Sequence, residues 1–240
     1  MSFERIEKKF SAEQRQGIVN QLKSARAFEK SPARYNTIRN LREYFIRLHG
    51  FQNLFSYIKS LPCKKVLDIG TGEGIAIAEL SKLSMTEGLD FELTALKNVP
   101  NLRKNFSKEK IHITGVETLR GIAPLSVACI LAVNSVAYSS DPGLAVQQMD
   151  EVLIPGGVVK ASFYIKSNAP KRYASNLFFQ GPRDFMYAFK RLGYDVESDL
   201  FGEGDTQVVV AVKPGNHNAL SAFKLLYNEN LNFKEIKKDD

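Results

Sequence analysis

One segment constrains the fold of this chain more than any other: Val66–Gly74, which reads VLDIGTGEG. Val66, Leu67 and Ile69 form a short apolar run of strand character. Gly70, Gly72 and Gly74 follow at alternate positions, and Ile75–Leu83 continues as a nearly all-apolar helical stretch. A strand that enters a glycine turn and leaves it as a helix offers free backbone N–H groups at the helix start. Glycine there lets a ligand approach the backbone closely. The spacing G-x-G-x-G is not the G-x-G-x-x-G of dinucleotide binders. Asp68, two positions before the first glycine and at the end of an apolar strand, strengthens the reading as a ligand-binding turn.

The remaining chain supplies the elements such a turn needs around it. Before it, the first 60 residues read as helices. Ser11 with Gln14 has the form of a capping box, and Ser31–Pro32 suits a second helix start. Ile38, Leu41, Phe45 and Leu48 recur at helical spacing up to Gly50, and Phe51, Leu54, Phe55 and Ile58 continue as a third helix towards Pro62. After the turn, strand-like runs occur at Phe91–Leu96, Ile111–Thr114, Val127–Val133, Val158–Ile165, Tyr194–Leu200 and Gln207–Val212. A helix is expected from Asp141–Pro142, with Ala145, Met149, Val152 and Leu153 on one face and Pro155–Gly156–Gly157 ending it. Another fills Pro182–Leu192.

Strands separated by helices predict an α/β fold with a mainly parallel seven-stranded sheet flanked by helices. The last strand follows its predecessor after only a turn and should run antiparallel to it. The expected organisation is a helical cap over residues 1–62, a central domain over 63–214 with a lid or insert at 165–192, and a C-terminal helix and charged tail over 215–240.

Composition narrows the class. The chain has 240 residues, 44% of them hydrophobic and 25% charged, enough to build a large core without disulfide staples. No apolar run approaches the length of a membrane span. The opening MSFERIEKKFSAEQ carries charges where a signal peptide needs an apolar stretch, so a cytoplasmic setting is expected. Cys63 and Cys129 each stand alone, without the neighbours that a metal or redox site requires, and no metal is expected. The net charge of +7 is uneven: +9 over residues 1–65, −3 over 66–165 and +1 over 166–240. The basic excess could steer an anionic partner such as RNA. Because its members form no run and mostly lie opposite apolar positions, they read better as solvated helix faces.

With the glycine turn and the strand order in view, the chain resembles the class I S-adenosylmethionine-dependent methyltransferases, over roughly residues 64–213. Asp68, Gly70, Gly72 and Gly74 match the family's glycine motif. Thr114–Gly115–Val116–Glu117–Thr118 looks like its segment after the third strand, and Ala128–Tyr138 like its fourth strand and following loop. Leu153–Ile154–Pro155–Gly156–Gly157 looks like its turn before the fifth strand. The resemblance implies the Rossmann-like fold of that family, with S-adenosyl-L-methionine as cofactor. It further implies that Asp68, Gly70, Thr71, Gly72 and Gly74 surround the cofactor's amino-acid end, and that Glu117 and Thr118 lie beside the adenine. Asn134 would sit near the methyl donor. Glu117 can equally be an exposed loop carboxylate, and Asn134 a strand-end cap.

One position departs from the pattern. The family usually places an acidic residue at the end of the second strand to take both ribose hydroxyls, whereas this chain has Leu96 and Lys97 there. An ammonium only donates and cannot replace that carboxylate. Either the ribose is held by backbone or water, or the chain has kept the fold and lost methyl transfer, or Lys97 meets a phosphate. The intact glycine motif and Glu117 favour the first.

Methyl transfer needs alignment and exclusion of water more than acid–base groups. Tyr138 is the candidate catalytic residue touching the acceptor, with plain aromatic packing as the alternative. The expected acceptor is a small molecule. RNA or protein docking through the basic helices, and a non-catalytic binding protein on the same fold, remain alternatives, and no membrane partner is expected.

Overall fold

The computed structural model describes residues 51–71, 90–94, 110–112, 114–133, 135–139, 141–164, 182–201 and 206–215. The expected helices before residue 51, the helix after the glycine turn, most of the lid and the C-terminal helix and tail lie outside these residues.

Helix α1 (Phe51–Ser60) leads into β1 (Lys65–Ile69), followed by β2 (Asp90–Thr94), β3 (Ile111–His112) and β4 (Val127–Val133). A single 3₁₀ turn (Val136–Tyr138), α2 (Pro142–Val152), β5 (Leu153–Tyr164), α3 (Pro182–Arg191), β6 (Asp195–Phe201) and β7 (Thr206–Val212) complete the order. The strands form one sheet in the order β3-β2-β1-β4-β5-β7-β6. Five neighbours from β3 to β5 are parallel. β7 then pairs antiparallel with both β5 and β6. The last strand is thus antiparallel to its predecessor, as expected, and it fills the slot between β5 and β6 rather than the edge. The apolar sequence VVVAV explains the choice: β7 is buried over nearly its whole length, whereas DVESDLF of β6 suits an edge.

The sheet is covered on two faces. On one, Leu67, Ile69, Ile130, Ala132, Val159, Ala161 and Phe163 meet Val146 and Met149 of α2 and Phe185 and Phe189 of α3. Phe163, Phe185, Phe189 and Tyr194 form a chain of tilted aromatic contacts with centroids 5.2, 4.9 and 4.8 Å apart. On the other face, Val66, Cys129, Leu131, Val158, Val210 and Val212 meet Leu54, Tyr57, Ile58 and Leu61, which come from α1 and the turn that follows it. Tyr57 carries its hydroxyl into this apolar layer and donates it to Gly156 O at 2.7 Å. Burial pushes its phenol up to about 12.

The join between α2 and β5 corrects one expectation. Asp141 caps α2 as foreseen, accepting from Leu144 N at 3.0 Å, with Pro142 in the first turn. The helix stops at Val152, and Leu153 is already extended (φ −75°, ψ 135°). Leu153 therefore opens the strand instead of lining the helix, and Pro155–Gly156–Gly157 lies inside β5 instead of in a turn before it. A Cβ at residue 157 would lie 2.8 Å from Ile154 O and 2.9 Å from Leu153 Cδ2, so glycine there admits the strand's own irregular start.

Asp150 locks this join from outside. Its carboxylate accepts from Tyr194 Oη at 2.8 Å and pairs with Lys213 Nζ at 3.0 Å. Lys213 also donates to Asp150 O and Leu153 O. Burial, then the Asp150 hydrogen bond, pushes the Tyr194 phenol far up.

Among the described residues, no helix is long and apolar enough to cross a membrane, and no cluster of His, Cys, Asp and Glu could hold a metal.

Candidate functional site

Strand order locates the site. The chain steps outward from β1 to β2 to β3, then returns to lay β4 on the other side of β1. Where a parallel sheet reverses in this way, the loops at the carboxyl ends of the two central strands diverge and leave a crevice. Asp68, Gly70 and Thr71 lie at that end of β1, and Ser135 and the 3₁₀ turn lie at that end of β4.

Asp68 is the penultimate residue of β1 and only 2% exposed. Burial pushes its carboxyl up to about 7, with the neighbouring buried Thr71 side chain working in the opposite direction. At neutral pH the group therefore stands near the balance point between acid and carboxylate. A cation placed against it would settle it as the carboxylate.

Gly70 turns the chain at φ +69°, in the left-handed region that favours glycine. The space a side chain would need is taken: a Cβ on residue 70 would overlap Ser135 Cβ. Ser135 is itself fixed there, donating its hydroxyl to Ile69 O at 2.6 Å. The first glycine of the motif is thus required by the contact between the β1 and β4 loops, independently of any ligand.

The second carboxylate comes from the turn after β3. Thr118 N and Leu119 N both donate to Gly115 O at 3.1 Å. Thr114 and Thr118 share a hydroxyl–hydroxyl hydrogen bond of 2.6 Å, and Leu119 takes φ +34°. Glu117 Oε1 accepts from Ser139 Oγ at 2.8 Å, while its Oε2 lies over Gly115, 2.7 Å from where a Cβ would be. Ser139 is buried, so the loop after β4 grips the loop after β3 through this carboxylate. The Thr118 hydroxyl is engaged within its own turn, donating to Gly115 O at 3.2 Å.

Of the expected site residues, Asp68, Gly70, Thr71, Glu117 and Thr118 fall within the described structure at the carboxyl edge of the sheet. Tyr138 closes the 3₁₀ turn between Ser135 and Ser139, so its backbone belongs to the same rim. Gly72, Gly74, Leu96, Lys97 and Asn134 lie outside the described residues. Sequence reasoning gave no role to Ser135, Ser139 or Lys160. The two serines carry no periodic or spacing signal. Lys160 does, as a lone charge in the otherwise apolar run VVKASF.

The profile of the methyltransferase-domain family matches residues 67–160. Solved structures share the fold at low identity. The methyltransferase (CMeT) domain of the citrinin polyketide synthase superposes with a TM-score of 0.52 at 17% identity, over 63% of this chain and 47% of that one. A SAM-dependent methyltransferase from Aquifex aeolicus gives 0.52 at 14%, over 70% and 91%. Phosphoethanolamine N-methyltransferase 2 of Haemonchus contortus, solved with S-adenosyl-L-methionine, gives 0.52 at 16%, over 68% and 52%. The chain thus spans about half the length of the first and third of these. No curated protein sequence matches it. The family match covers the glycine turn, the Glu117 turn and the β4–β5 core together: residues 67–160 are similar to a methyltransferase domain, and the solved methyltransferase structures share the fold around them.

Proposed function

We propose that this chain transfers the methyl group of S-adenosyl-L-methionine to a small-molecule acceptor. The observation that carries the reading is the pair of carboxylates at the switch point. Asp68 is buried at the end of β1, and Glu117 is held by Ser139 at the end of the neighbouring turn. Two acceptors fit a ligand with an ammonium at one end and an exocyclic amine at the other. Asp68 and the backbone of Gly70–Thr71 would hold the amino-acid end, and Glu117 the adenine. When bound, S-adenosyl-L-methionine supplies a methyl group already activated by its sulfonium. The chain's own part is then to orient and to exclude water. Tyr138, on the rim formed by the β4 loop, is proposed to contact the acceptor. Residues 1–62 and the 165–192 insert are proposed to close the acceptor side over the central domain.

Isothermal titration with S-adenosyl-L-methionine and S-adenosylhomocysteine tests the cofactor reading. Binding of both, weakened in Glu117→Ala, is expected. A chain that takes neither at millimolar ligand is a binding protein on a methyltransferase fold. The acceptor class is tested by salt: an RNA enzyme would lose apparent affinity steeply as salt rises, and a small-molecule enzyme should not.

A further inference from the structure

Lys160 lies in the middle of β5 and is 0% exposed, among the largest fully buried side chains of the described residues. A lysine so placed is costly unless a carboxylate compensates it. The sheet register shows where compensation is available. Asp68 of β1 is level with Leu131 of β4, and Leu131 is level with Lys160 of β5. Residues level with one another in a parallel sheet share a face, so Asp68 and Lys160 flank Leu131 on the face that α1 covers. Two strand spacings separate their Cα atoms, about 10 Å, a gap that an extended lysine and an aspartate can span between them. Cys129, one row earlier on the same face, senses both. Burial pushes its thiol up, the Lys160 charge pulls it down and the Asp68 charge pushes it up again.

We propose that Lys160 is a positioning residue of the cofactor site: from the same buried face it sets the charge of Asp68, and with it the pH range over which the site accepts a cationic ligand. The inference rests on the cofactor reading above. The titratable groups that the described elements place on this face of the sheet are few. Thr71 follows Asp68 in the chain, Cys129 comes from β4, Lys160 from β5 and Tyr57 from α1, whose hydroxyl is committed to Gly156 O. The level position on β2 is Leu93, and β7 contributes Val210 and Val212. Lys160 is the one cation among them, and the Cys129 thiol between the two strands is pulled down by its charge.

The test follows the Asp68 carboxyl carbon by NMR, and S-adenosyl-L-methionine affinity by calorimetry, from about pH 5.5 to 8.5. Wild type and Lys160→Met are compared. Loss of the lysine should raise the Asp68 midpoint by about one pH unit or more, and the pH below which affinity falls should rise with it. An unchanged midpoint overturns the inference and leaves the cofactor reading standing. A wild type that takes no S-adenosyl-L-methionine at any pH overturns the cofactor reading, while the Asp68 midpoint still decides the pairing. Should Lys160→Met fail to fold, Asp68→Asn/Lys160→Met decides: recovery of folding supports the pair, and failure of the double variant overturns it.

Discussion

Replacing Gly70 with alanine isolates a claim that motif matching alone would misassign. If this glycine served only to admit a ligand, Gly70→Ala would weaken binding and leave the free protein's stability unchanged. The structure predicts otherwise, for two separate reasons. A non-glycine residue at φ +69° costs about 1–2 kcal/mol. A methyl group overlapping Ser135 Cβ adds about 1–3 kcal/mol of overpacking, because Ser135 cannot retreat without breaking its hydrogen bond to Ile69 O. Together these give about 2–5 kcal/mol, or a fall in Tm of roughly 5–15 °C for a chain of this size, measured by thermal denaturation without ligand. Ser135→Gly alone should cost about 1 kcal/mol through the lost hydrogen bond. The double variant should then be less destabilised than the two singles combined by about 1–3 kcal/mol, since the clash is gone and only the backbone strain remains. Strict additivity, or a Gly70→Ala protein that melts with the wild type, would refute the reasoning.

The Asp68 carboxyl stands above its ordinary 3.8, at about 7. Its contribution to stability is therefore full below about pH 4 and is lost as pH rises through 7; relative to Asp68→Asn, denaturant melts should lose about 4 kcal/mol between pH 4 and 8. Ser139→Ala should leave the fold intact but free Glu117 to rotate, weakening S-adenosyl-L-methionine binding about five- to tenfold by calorimetry, which equals about 1 kcal/mol. Tyr194→Phe removes a hydrogen bond to the Asp150 carboxylate and should cost about 1–3 kcal/mol in chemical denaturation, with no change in cofactor affinity.

Much of the fold was legible because its signals are local. Val127–Val133 and the start of α2 at Asp141–Pro142 fall where apolar runs and capping chemistry put them. Leu153 misled for a physical reason: an apolar residue one turn beyond Met149 satisfies the helix period, and only the register with Val127 shows that it has joined the sheet. The candidate site was legible where it is backbone, at Asp68 and Gly70. It was not legible where it is a contact between distant loops. Ser135 on Gly70 and Ser139 on Glu117 join segments 65 and 22 residues apart, and nothing in the composition of either segment records the other. Lys160 is intermediate. A charge inside an apolar strand announces itself, but its level with Asp68 exists only once β4 is laid between them.

The position of β7 has a consequence for how the protein is made. Because this strand fills the slot between β5 and β6, a nascent chain that has emerged only as far as residue 201 must hold the hydrogen-bonding flank of β5 open to whatever it meets. Synthesis adds about 5–20 residues each second, so the exposure is short on a moving ribosome and long on a stalled one. Nascent chains stalled with their emerged portion ending between residues 165 and 205 should accordingly be the ones that recruit chaperones or aggregate.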